Sequence, residues 1–106
     1  MKRIVYSPEA ISKINLIYRN VCAQYGKEKG REVKAEIINR IRSLSKMEKQ
    51  GVSMYELYGV IPDYRKLYVA HNYIFYLIED RTIQIINVYN EREDFMWKLF
   101  GIRYTD

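Results

Sequence analysis

At Tyr64 the apolar residues of this 106-residue chain change their period, and that change constrains the fold more than any other feature. Before it the spacing is helical. Ile11, Ile14, Ile17, Tyr18, Val21 and Tyr25 line one face of a helix that Ser7 caps, Pro8 opens and Gly26 ends. Val33, Ile37, Ile38, Ile41 and Leu44 mark a second helix, predicted over residues 29–49, with Lys34, Glu36, Arg40, Arg42 and Lys46 on its other faces. Two amphipathic helices joined at a glycine make an antiparallel hairpin. After Tyr64 the period is two. "YRKLYVA", "YIFYLIED" and "TIQIINVY" read as strands, with "HN" and "DR" as the tight turns between them. The middle strand is apolar on both faces, so it belongs at the centre of a covered sheet.

Three shorter pieces complete the pattern. Residues 2–6, "KRIVY", read as a first strand, residues 54–58 as a short strand within a loop, and residues 92–100 as a last helix that Gly101 caps. Phe95, Met96, Leu99 and Phe100 share one side of that helix. Helices gathered before strands predict an α+β fold: a twisted antiparallel β-sheet with an N-terminal helical hairpin packed on one face and a short C-terminal helix. With no repeat, linker or low-complexity tract, residues 1–106 are expected to form a single domain.

Composition narrows the chemistry. Hydrophobic residues make up 48% of the chain, enough for a core without staples, and the lone Cys22 cannot form an intramolecular disulfide. No apolar run approaches the roughly 20 residues of a membrane span, and "MKRIVYSPEA" lacks the apolar stretch of a signal peptide, so a cytoplasmic protein with no membrane partner is expected. Charge is uneven. Residues 1–53 hold twelve Lys and Arg against five Glu, and residues 54–106 hold six against eight acids. The basic excess therefore sits on the helical half, a field that favours polyanions or acidic proteins.

One histidine and one cysteine exclude a zinc cluster built from those residues, and no nucleotide-binding glycine loop is present, so neither metal nor cofactor is expected. Cys22 and His71 are set aside as a nucleophile pair, because one lies inside a helix and the other in a turn. Glu91, Glu93 and Asp94 read as the acidic start of the last helix. What remains is basic and aromatic: Arg65, Lys66, His71 and Arg92 at strand and loop ends, with Tyr64, Tyr68, Tyr76 and Tyr89 able to stack on bases. Were Arg65 and Arg92 to meet at one edge, they would form a phosphate clamp able to stabilise a pentavalent transition state. The alternative is a pair of surface arginines bound to Asp63 and Glu93.

"YSPEA" before a helical hairpin, followed by "YRKLYVAHNYIFYLIEDRTIQIINVYNEREDF" and "MWKLFG", resembles the RelE/ParE superfamily, toxins of bacterial type II toxin–antitoxin modules. The likeness covers nearly the whole chain. It implies a sheet-and-hairpin fold, growth inhibition by the free protein, and neutralisation by a cognate antitoxin that wraps it. RelE-like members cleave messenger RNA on the ribosome, and ParE-like members poison DNA gyrase. For RNA cleavage, the resemblance implies Arg65 and Arg92 on the scissile phosphate, His71 as acid or base, and a hydroxyl from Tyr89, Tyr58 or Tyr104. Lys66, Tyr68, Tyr76 and Trp97 would then bind the substrate. Two places depart from that pattern: Glu56 stands in "MYELYG" where a basic residue is expected, and the last helix offers Phe95 and Trp97 rather than tyrosine. The leading expectation is an endoribonuclease (an mRNA interferase) whose partners are the ribosome and mRNA. The alternatives are a gyrase inhibitor with no chemistry of its own and a non-toxic relative that keeps only antitoxin binding.

Overall fold

The computed structural model describes residues 1–101; Tyr104 lies outside them. The elements run β1 (Arg3–Tyr6), α1 (Pro8–Tyr25), α2 (Lys27–Ser43), β2 (Val52–Ser53), α3 (Met54–Tyr58), β3 (Arg65–Val69), β4 (Asn72–Ile78), β5 (Thr82–Asn90) and α4 (Phe95–Phe100). The strands form one sheet in the order β1-β5-β4-β3-β2, which puts the doubly apolar β4 at its centre.

The α1–α2 hairpin covers one face. Ala10, Ile14, Ile37, Ile41 and Leu44 pack on Leu67, Val69, Ile74, Tyr76, Ile83, Ile85 and Val88, all buried. Gly26 alone joins the two helices, at a φ of 95°, a backbone conformation that L side chains avoid. The opposite face holds a smaller aromatic cluster of Met54, Phe75 and Tyr89, against which Tyr64, Phe95, Leu99 and Phe100 pack. α3 and α4 thus form a partial third layer.

Four differences from the sequence reading have physical causes. The sheet is mixed, because β1 runs parallel to β5 while the other pairs are antiparallel. That direction carries Ser7 to the middle of β5. Its hydroxyl there accepts from Ala10 N at 2.9 Å, capping α1, and donates to Ile86 O at 2.6 Å. Residues 54–58 form a helix rather than a strand, since Ser53 caps them and Asp63 holds both the Ser53 hydroxyl and Tyr55 N. The β3–β4 turn is centred on Ala70 and His71, with φ of 50° and 65°, so Asn72 begins β4 instead of closing the turn. α2 stops at Ser43, short of residue 49, and α4 starts at Phe95, because Asp94 caps it by accepting from Trp97 N.

A bulge in β5 matters most for the site. Tyr76 pairs with Ile85 and Phe75 with Asn87, leaving Ile86 as the extra residue. Ile83 and Ile85 face the hairpin, while Asn87 and Tyr89 are turned to the α4 side.

Candidate functional site

The predicted site residues divide between the two ends of β3. At its start, Arg65 pairs across the sheet with Tyr76. The Arg65 guanidinium donates to Gly51 O at 2.8 Å and Lys49 O at 3.2 Å. The Tyr76 hydroxyl, wholly buried, donates to Glu48 O at 2.7 Å and accepts from Gly51 N at 2.9 Å. Burial pushes the Tyr76 phenol above its ordinary pKa, which keeps it neutral and able to donate. Gly51 has no room for a side chain: a Cβ there would lie 2.7 Å from the Tyr76 oxygen. These two side chains fasten the segment between α2 and β2 to the sheet.

At the far end of β3 the polar groups meet one another. The Tyr68 hydroxyl donates to Glu91 Oε2 at 2.5 Å, and His71 Nδ1 lies 3.1 Å from Glu91 Oε1 and 3.3 Å from the Tyr68 oxygen. The Tyr68 hydrogen bond, followed by the His71 contact and the Arg92 charge, outweighs desolvation and holds the Glu91 carboxyl below its ordinary range. The same bond to Glu91 raises the Tyr68 phenol. Glu91 N donates to His71 O at 2.9 Å and Asn72 Nδ2 to Ala70 O at 2.7 Å, so the turn is tied to the end of β5. The His71 side chain remains 78% exposed.

The charge knot after β5 assigns each acid a task. Glu91 binds Tyr68 and His71. Glu93 accepts from Asn90 N at 2.7 Å and Lys98 Nζ at 2.9 Å, and Asp94 caps α4. Arg92 is exposed, and its guanidinium makes no ion pair with any described residue. The pairings expected as an alternative, Arg65 with Asp63 and Arg92 with Glu93, are not formed among the described residues.

Tyr89, named for a catalytic hydroxyl, is buried to 6% exposure beside Phe75, with its oxygen accepting from Asn87 Nδ2 at 3.1 Å. Lys13, which the sequence reading passed over, reaches from α1 to Val88 O at 3.2 Å and lies 4.4 Å from the Tyr89 ring centre. Lys66 stands over the rings of Tyr73 and Phe95, where burial lowers its pKa. Trp97 lies on α4, 44% exposed.

Arg65 and Arg92 therefore do not converge. Arg65 sits level with Tyr76, whereas Arg92 follows Asn90, which pairs with Asn72. Four strand residues separate those levels, roughly 13 Å at about 3.3 Å each. The face that receives Tyr89 is filled by Phe95, Leu99 and Phe100. An open groove of about 450 Å³ does lie beside β3, lined by Arg40, Gln50, Val52, Lys66, Tyr68 and Glu91 among others. It exists because β2 pairs only with Arg65 and Lys66, so among the described residues the rest of β3 has no strand partner on that side, an edge of the kind that accepts an extended peptide. Among the described residues, no cluster of His, Cys, Asp and Glu is placed to hold a metal ion, and no helix is long and apolar enough to cross a membrane.

Known proteins bear on this geometry at two levels. Residues 4–95 match the family described as ParE toxin of type II toxin-antitoxin system, parDE. A search of curated proteins finds no match. Among solved structures, the chain is similar to one described as the chromosomal ParDE TA system from P. aeruginosa, with a TM-score of 0.71 and 18% identity over 85% of this chain and 96% of that one. At that identity the likeness is one of fold.

Proposed function

The chain belongs to the ParE toxin family of type II toxin–antitoxin systems, and on that premise we propose that it arrests growth by binding DNA gyrase, without catalysis of its own. The observation that carries this reading is the commitment of Arg65. Its guanidinium is held by the Gly51 and Lys49 carbonyls, and its level in the sheet is about 13 Å from that of Asn90, two residues before Arg92. A phosphodiester cleavage site needs cations converging on one phosphate. Here one arginine is a structural tie and the other stands apart. The buried Tyr89 hydroxyl is a poor proton donor for a substrate in solvent.

The partner in such a module is a cognate antitoxin. We assign it the free edge of β3, where an extended segment would continue the sheet, and the exposed apolar side chains of Tyr55, Leu57, Tyr58, Ile61 and Trp97.

The test uses the purified chain in two parallel assays, gyrase supercoiling and translation of a defined message. The reading predicts loss of supercoiling, restored by antitoxin, with intact transcripts. Codon-boundary cuts in the message with unchanged supercoiling would return the function to ribosome-dependent RNA cleavage.

A further inference from the structure

The β3 edge carries a cation on each of its two faces. A two-residue turn makes Val69 and Asn72 the closing pair of the hairpin, which exchanges hydrogen bonds, so Leu67 and Arg65 also bond toward β4. Lys66 and Tyr68 therefore direct their backbone groups the other way. β2 takes Lys66, and no strand among the described residues takes Tyr68. Side chains alternate along the same strand. Lys66 pairs with Phe75 and lies on the α4 face, its ammonium 4.6 Å from the Tyr73 ring centre and 5.1 Å from that of Phe95. Arg40 comes from α2, on the hairpin face, and meets the neutral Gln50 Oε1 at 3.5 Å. Both cations line the groove beside β3, and neither makes an ion pair with a described residue. Glu91, the acid that lines it, is taken by Tyr68 and His71 at the turn end. Burial lowers the Lys66 pKa, as expected of an ammonium that has lost water without gaining a counter-charge.

We propose that this groove takes an extended acidic segment, whose two adjacent carboxylates reach Lys66 on one face of the sheet and Arg40 on the other. This rests on the assignment of the β3 edge to the antitoxin, and it names the chemistry of the antitoxin segment that docks there. Neighbouring residues of a strand point to opposite faces, so a segment laid along β3 brings one side chain to each cation. A helix gathers its acids on one stripe and cannot place them on both sides of a sheet edge. Backbone pairing alone is too little to hold the segment. Within β3 only Tyr68 has its N–H and C=O left over, so the charges and the Tyr68–Tyr73 ring pair, with centroids 5.2 Å apart, supply the rest. A nucleic acid strand could use the cations and the rings, but its phosphates carry no donor for the Tyr68 carbonyl.

The experiment follows the backbone amide resonances of the isotope-labelled full chain by NMR at low ionic strength. The probe is the end-blocked hexapeptide Thr-Val-Glu-Glu-Val-Thr, which reads alike in both directions. It is compared with Thr-Val-Gln-Gln-Val-Thr and with hexauridylate. The acidic peptide should move the Tyr68 amide, and each carboxylate replaced by an amide should weaken binding about fivefold. The glutamine peptide should therefore bind about 25-fold more weakly. Lys66→Met, which keeps an unbranched stem over the rings, and Arg40→Met, at an exposed helix position, should each weaken the acidic peptide about fivefold and leave the glutamine peptide unchanged. A glutamine peptide that binds as tightly as the acidic one overturns the proposal and leaves the edge assignment standing. If neither peptide moves the Tyr68 amide, both fall. Tighter binding of hexauridylate at the same resonances overturns the proposal in favour of RNA. A Lys66→Met protein that binds the acidic peptide as well as the wild type does makes Lys66 a guard against strand pairing, and also overturns it. Gyrase inhibition is untouched by any of these outcomes, so the two claims fail separately.

Discussion

At one end of β3, Arg65 and Tyr76 direct their polar atoms at backbone; at the other, Tyr68, His71 and Glu91 direct theirs at one another in the open. The residue types are those that bind and cleave nucleic acids in many proteins. Their surroundings decide the role. Near Arg65, the segment after α2 turns in against the sheet and presents the Glu48, Lys49 and Gly51 carbonyls, which need donors once they leave water. Near Tyr68 the strand lies beyond the reach of β2, which pairs only with Arg65 and Lys66, and the Tyr68 side chain is 45% exposed. The first end is a fastening and the second is a presented surface.

The contrast predicts a gradient of mutational effect. Tyr76→Ala should be the most damaging, removing a fully buried ring and both of its hydrogen bonds, about 4 kcal/mol in a denaturant melt. Tyr76→Phe keeps the packing but leaves the buried Gly51 N–H without its acceptor, about 2 kcal/mol. Arg65→Ala should cost about 1–2 kcal/mol, and gyrase inhibition should follow the folded fraction. Inhibition lost from a fully folded Arg65→Ala protein would make Arg65 a functional residue and break the comparison.

Effects at the other end should be small or of opposite sign. Ala70→Gly relieves a side chain held at a φ of 50° and should stabilise by about 0.5–1 kcal/mol. Arg92→Ala should leave both melting and growth inhibition unchanged, whereas an RNA-cleavage role for Arg92 requires inhibition to vanish. The subtlest test is a titration. With its pKa lowered on folding, Glu91 stabilises the fold above its unfolded pKa, and that contribution disappears as pH falls through the lower folded value. Tyr68, raised on folding, contributes below its unfolded pKa near 10.0 and stops as pH rises through the folded value. The cluster should therefore persist through neutral pH. In an NMR titration, Tyr68→Phe should move the Glu91 midpoint back up toward 4.5.

The parts of the fold legible in the sequence were those encoded by local period. The hairpin follows from the Ile14, Ile37 and Ile41 stripes and from Ser7 before Pro8, and the central position of β4 follows from its two apolar faces. The β5 bulge was not legible, because "TIQIINVY" alternates without a break and only the pairing of Phe75 with Asn87 shows that Ile86 is extra. The turn was misplaced by one residue because neither Ala70 nor His71 favours positive φ, and the bonds that hold them there come from Asn72 and Glu91. Arg65 could be named as a candidate from its place at a strand start. Its commitment could not be read, since the carbonyls that hold it lie 14 and 16 residues away in a segment with no pattern.

The central claim, that this toxin stops growth through gyrase with Arg65 and Arg92 taking no part in chemistry, meets its most direct test in cells expressing the chain from a tight inducible promoter. DNA and protein synthesis are pulse-labelled separately, for the wild type and for Arg92→Ala. The account predicts that DNA synthesis falls first in both, with transcripts intact. Protein synthesis falling first in the wild type, with cuts at codon boundaries that Arg92→Ala abolishes, would contradict it.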